Sequence, residues 1–126
     1  ESVIDIMGHL NSLYTRQFPQ VCFVQRTRWI MEQLLPITEP TKQLVANIMN
    51  TSVSTLERRL KLTNTSFKYV LLQLKKQLAY EYLVKLNKSA SKTSMLLGYT
   101  SPSQFFKAFK QWSGKTPSEY KASFSG

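Results

Sequence analysis

The stretch from Ser66 to Leu86 constrains this chain more than any other. Phe67, Val70, Leu71, Leu74 and Leu78 recur at i, i+3, i+4, i+7 and i+11, the helical period. Leu72, Ala79, Leu83 and Leu86 form a second apolar stripe on the same cylinder, rotated from the first and richer late in the segment. A helix with one stripe packs on one partner. Two offset stripes predict packing on two. The expectation is a long central helix with a small helical subdomain at each end.

Charge tells what the two ends face. The chain has 126 residues and a formal net charge of +10. Residues 1–57 carry Arg16, Arg26, Arg28 and Lys42 against Glu1, Asp5, Glu32, Glu39 and Glu57. Every remaining Lys and Arg lies in residues 58–126, where only Glu81 and Glu119 oppose them. Such asymmetry points first to nucleic acid and second to an anionic membrane surface. At 1.5 Å per residue the central segment spans about 31 Å. That is close to the roughly 34 Å between successive major-groove turns on one face of DNA. The segment therefore reads as a spacer between two reading heads.

Several classes have little to stand on. Cys22 is the only cysteine and His9 the only histidine, so no internal disulfide forms and a metal site would have to rely on acids that do not cluster. Neither residue is assigned a role. No run approaches 18 apolar residues, and no secretory signal is visible. There is no nucleophile–base pair and no glycine-rich phosphate loop, so no catalytic residue and no cofactor is expected. The chain opens at Glu1, so it reads as a piece of something longer, and a cytoplasmic location is expected.

In chain order, Val3, Ile4, Met7, Leu10 and Leu13 suit a short amphipathic helix, interrupted at Phe18, Pro19 and Gln20. Residues 1–25 read as a partly helical connector whose apolar residues pack on a part of the protein not in this sequence. Phe23 to Leu35 predicts a helix burying Val24, Trp29, Ile30, Leu34 and Leu35, ended by Pro36 and Pro40. Thr41 can cap a second helix, with Leu44, Val45, Ile48 and Met49 apolar, and Asn50 suits a left-handed turn. Ser52 can cap a third, with Val53, Leu56 and Leu60 on one face and Ser54, Arg58 and Lys61 opposite. Two short helices joined by a tight turn make a helix-turn-helix. After the spacer, Met95, Leu96 and Leu97 belong to a short helix ended by Gly98. Ser101-Pro102-Ser103-Gln104 is a capping box with proline at the first helical position. Phe105, Ala108, Phe109 and Trp112 follow at helical spacing, and Gly114 stops that helix. Thr116-Pro117-Ser118-Glu119 is a second box that starts a last helix burying Tyr120.

The helix after Ser52 repeats itself after Ser101. An offset of 49 residues carries Ser52 onto Ser101 and the core pair Leu56 and Leu60 onto Phe105 and Phe109. It also carries outward Ser54, Arg58 and Lys61 onto Ser103, Lys107 and Lys110. A single basic helix face is usually a solvated surface. Two in matching phase, each after a turn and a shorter helix, are hard to obtain by chance.

Residues from about 26 to 123 resemble the DNA-binding domain of the AraC/XylS family of bacterial transcription regulators. The matching strings are Leu44-Val45-Ala46, then Ser52-Val53-Ser54-Thr55-Leu56-Glu57-Arg58-Arg59-Leu60, Thr65-Ser66-Phe67 and Leu96-Leu97-Gly98-Tyr99. The most specific runs from Pro102-Ser103-Gln104-Phe105-Phe106-Lys107-Ala108-Phe109-Lys110 to Gly114-Lys115-Thr116-Pro117-Ser118-Glu119-Tyr120. The resemblance implies an all-α fold of two helix-turn-helix subdomains joined by a long central helix. The first would lie at about 41–61, the linker helix at about 66–87 and the second at about 91–112, within a domain of residues 26–126. It implies sequence-specific binding to an asymmetric double-stranded DNA site of about 20 base pairs, matching two heads one turn apart. It also implies RNA polymerase as a partner and a ligand-sensing or dimerising domain upstream. The base-reading positions would fall at Ser54, Glu57 and Arg58 in the first head. In the second they would fall at Ser103, Gln104, Phe106 and Lys107.

The sequence departs from the family pattern in several places. Asn50 and Asn64 stand where glycine is usual. Ala90, Thr93 and Ser94 replace the usual Leu, Ile and Ala, which predicts a less firmly held second head. Pro102 has no backbone N–H to donate. Each candidate also has a plainer reading. Arg58 fits a bidentate pair with guanine, a phosphate contact or a surface ion pair. Lys107 fits a similar role as a point charge. Phe106 can meet a thymine methyl or pack on Tyr99, and Gln104 can be consumed by its capping box. Glu57 can accept from cytosine or only orient Arg58. Lys68, Lys75, Lys76, Lys85 and Lys88 read as the solvated face of the spacer. The competing function is a basic amphipathic module on an anionic membrane surface.

Overall fold

The computed structural model of the protein describes residues 3–17 and 22–124. Among the described residues every regular element is helical. The chain divides into two compact units, one of Glu1–Leu34 with Pro40–Leu72 and one of Leu35–Glu39 with Gln73–Gly126.

The first unit holds α1 (Val3–Gln17), α2 (Phe23–Leu34), α3 (Lys42–Ile48), α4 (Val53–Leu62) and the start of α5 (Phe67–Tyr80). The α1 helix packs on α2 and α3 and buries Met7, whereas Ile4, Leu10 and Leu13 of the expected face are exposed. The interruption expected at Phe18, Pro19 and Gln20 lies outside the described residues. On α2 the buried set is Thr27, Ile30, Met31 and Leu34, with Leu35 just beyond. Val24 and Trp29 are only half-buried. Thr27 is tolerated inside because its hydroxyl donates to the Phe23 carbonyl at 2.9 Å, one turn back. Arg59 is drawn onto this helix, its guanidinium 4.0 Å from the centre of the Phe23 ring.

The tight turn between α3 and α4 is built as its residues demand. Thr41 caps α3 by accepting from the Leu44 amide. Asn50 takes a φ of 57°, and the Thr51 amide returns to the Ala46 carbonyl at 2.9 Å. Ser52 then caps α4, accepting from the Thr55 amide. Leu56 and Leu60 are fully buried, and Val53 partly. Asn64 makes the next turn at a φ of 60°.

The second unit contains the rest of α5, a π-turn (Glu81–Lys85), α6 (Ala90–Leu96), α7 (Pro102–Ser113) and α8 (Pro117–Phe124). The central segment is therefore not one uniform α-helix. After Tyr80 it widens to i→i+5 bonding, the Leu86 amide donating to the Glu81 carbonyl at 2.8 Å. Each residue of such a turn rotates the chain less than in an α-helix. Leu83 stays buried, but Leu86 loses phase and is 60% exposed rather than completing the second stripe. The first stripe holds, with Phe67, Val70, Leu74 and Leu78 buried and Leu71 partly so. Lys75 is not on a solvated face. It is buried, donates to Glu39 at 3.3 Å and lies 4.7 Å from the centre of the Tyr99 ring.

The core of this unit is aromatic. Phe105 and Phe109 on α7 are buried, with ring centres 5.4 Å apart, and Tyr99, Trp112 and Tyr120 close around them at tilted or edge-on angles. On α6 the inward positions are Thr93 and Ser94, with Leu97 following, whereas Met95 is exposed. The Ser94 hydroxyl donates to the Ser101 carbonyl at 3.2 Å. The Thr93 hydroxyl is buried without a hydrogen-bond partner among the described residues, a direct cost to this helix pair. Gly98 turns at a φ of 82°, left-handed as read from sequence, and Gly114 ends α7 as expected, at a φ of 75°.

Candidate nucleic-acid interface

The first unit presents one face of α4. With Leu56 and Leu60 turned inward, Ser54, Glu57, Arg58 and Lys61 are left exposed. Arg58 and Lys61 make no ion pair among the described residues, so neither guanidinium nor ammonium is spent within the protein. Glu57 differs. Lys42 of α3 donates to its carboxylate at 2.8 Å, with both side chains about half exposed. The group that fixes Glu57 is thus Lys42 rather than Arg58. Sequence reading missed Lys42, because nothing in the chain marks two residues on different helices as neighbours.

The second unit presents one face of α7. Ser101 caps it by accepting from the Gln104 amide, and Pro102 occupies the first turn. Phe105 and Phe109 point inward, leaving Ser103, Gln104, Phe106, Lys107 and Lys110 exposed. The Gln104 side chain does not reach back to Ser101. Its Oε1 accepts from the Thr100 hydroxyl at 2.6 Å. Phe106 is 44% exposed, and its ring contact is with Phe105. Tyr99 packs instead on Phe105 and Trp112. The second box does close. Thr116 and Glu119 exchange both bonds, at 2.9 and 3.2 Å. The Thr116 amide bond holds the Glu119 carboxyl below its ordinary range.

The repeat read from sequence therefore has its counterpart inside each unit: a serine cap, a buried pair and an exposed basic face. The membrane-surface alternative loses its basis. The apolar stripes it needs, Val70, Leu74, Leu78 and Leu83, are buried. No helix among the described residues is long and apolar enough to cross a membrane.

Comparison with known proteins agrees with this layout. A family model for a helix-turn-helix domain matches residues 45–123. The ornithine utilization regulator of Pseudomonas aeruginosa is 34% identical over 82 residues, covering 65% of this chain and 24% of that protein. The transcriptional activator CfaD of Escherichia coli is 31% identical over 86 residues, covering 68% of this chain and 32% of that protein. The crystal structure of a DNA-binding transcriptional dual regulator from Escherichia coli K-12 superposes with a TM-score of 0.69 at 26% identity, covering 79% of this chain and 88% of that one. This chain spans about a quarter to a third of the length of those two relatives. The matched family and these relatives are transcription regulators, not enzymes. The chain belongs to the AraC/XylS family of transcription regulators and carries its all-helical, two-part helix-turn-helix DNA-binding domain.

Proposed function

We propose that this chain is the sequence-specific output domain of a bacterial transcription regulator, with α4 and α7 entering successive major-groove turns of one duplex. The observation that carries this is the repeated head, in which each unit offers a capped helix with an apolar pair inside and a basic face outside. In this reading Ser54, Glu57 and Arg58 meet base edges from the first head. Ser103, Gln104, Phe106 and Lys107 do so from the second. Lys61 and Lys110 serve the flanking phosphates. Arg58 is the strongest single determinant, since its planar fork matches guanine and the ammonium of Lys107 does not.

Residues 1–25 act as a connector to a sensing or dimerising domain in a longer chain, a reading supported by relatives of which the match covers only 24% and 32%. The regulator works in the cytoplasm and positions RNA polymerase, as the activator among its relatives suggests. Salt titration on a duplex tests the core of the proposal. If about six phosphates are neutralised, log affinity falls against log salt with a slope near −5. A flat response would rule DNA binding out.

A further inference from the structure

Beside the reading face of α4 lies a cavity of about 380 Å³. Three lysines are among its lining residues, Lys42 on α3, Lys61 on α4 and Lys68 on α5. Glu57 is the only carboxylate in its lining, and that carboxylate is already bonded to Lys42. Lys61 and Lys68 have no ion pair among the described residues. Two lysines without an ion pair among the described residues therefore line one concavity. Such an arrangement favours an anion between them.

The position of the cavity identifies the anion. Lys61 follows Ser54 and Arg58 on one exposed face of α4. A duplex lying against that face brings one sugar–phosphate strand over the edge where Lys61 stands. We propose that this cavity seats one backbone phosphodiester of the bound DNA between Lys61 and Lys68, with the Lys42–Glu57 ion pair at its rim. This rests on the reading of α4 as a DNA-binding helix. Lysines contact phosphate as point charges, so the seat sets register and affinity and carries no base information.

The test compares the wild-type protein, a Lys61→Ala/Lys68→Ala variant and a Lys85→Ala control on specific and scrambled duplexes over a range of salt. Lys85 is an exposed lysine of the π-turn and does not line this cavity. The double variant is expected to weaken on both duplexes and to show a salt slope shallower by about 0.9, one phosphate's worth. Over a fourfold rise in salt the wild type then loses about 3.5-fold more affinity than the variant. The control keeps the wild-type slope. Thermal melting checks that the double variant is folded, as expected for two exposed side chains. An unchanged slope, or an equal drop in the control, overturns the proposal. A wild type that shows no salt-dependent binding would instead remove the DNA-binding reading itself. In a parallel arm, inorganic phosphate is titrated without DNA while the Phe67 and Lys68 amide resonances are followed. Saturable shifts there, together with an unchanged DNA slope, would make the cavity a small-anion site and also overturn it.

Discussion

Gly98 lies directly under the Leu35 carbonyl: a β-carbon built on it would sit 2.8 Å from that oxygen. The backbone there also has a φ of 82°, which L side chains rarely adopt. The two constraints are independent, and both belong to the turn that precedes α7. Gly98→Val is therefore expected to destabilise the second unit by at least the roughly 1–3 kcal/mol of a strained left-handed residue. Because the atom it meets is backbone, no rotamer change relieves the clash. A urea midpoint equal to wild type would show that the turn adapts.

Leu78 and Leu86 give a matched pair on the central segment. Leu78 is 5% exposed, so Leu78→Ala should cost about 2–5 kcal/mol through lost burial and the cavity left behind. Leu86 lies past the π-turn in solvent, and Leu86→Ala should stay within about 0.5 kcal/mol of wild type. Comparable losses in denaturant melts would mean that the second stripe continues through residue 86 after all.

Thr93 offers a stabilising substitution. Its hydroxyl is buried without a partner, and valine has nearly the same shape. Thr93→Val should raise stability by about 1–3 kcal/mol, the usual penalty for an unmade buried hydrogen bond. A drop in melting temperature would show that the hydroxyl is satisfied in solution.

The pH behaviour of Tyr99 follows from its surroundings. Burial first, and the nearby Glu39 carboxylate second, push its phenol up to about 12. The folded state therefore holds this proton more tightly than the unfolded chain, whose phenol titrates near 10. The associated stability is complete below about pH 10 and is lost as pH rises towards 12. Tyr99→Phe should flatten that loss. Equally steep alkaline unfolding in both proteins would assign it to other groups.

Arg58→Ala and Lys107→Ala remove one charge each from equivalent helix positions. On the DNA-binding reading, Arg58→Ala should cost about 1–3 kcal/mol on a specific site and relax preference at one or two base pairs. Lys107→Ala should cost less and weaken specific and scrambled duplexes more evenly. Site selection from a randomised pool, followed by titrations, separates them. A greater loss of specificity from Lys107→Ala would place recognition chiefly in the second head.

Much of this architecture is local and was legible in the chain. The caps at Thr41, Ser52 and Ser101, the left-handed Asn50, Gly98 and Gly114, and the buried pairs Leu56–Leu60 and Phe105–Phe109 all follow from propensity and periodicity. Those signals act over one or two turns, so a linear reading captures them. The exposed faces of α4 and α7 follow from the same phases. What tertiary structure decided is which side chains meet across elements. Lys75 reads as a surface lysine until Glu39 and Tyr99 close over it, and Glu57 reads as a partner for cytosine or Arg58 until Lys42 arrives from α3. The burial of Thr27 in place of Trp29, and the π-turn that puts Leu86 into solvent, also depend on packing rather than on periodicity. Hydrophobic period fixes the phase of a helix, but only the neighbouring helices determine where that phase breaks and which charges are left unpaired.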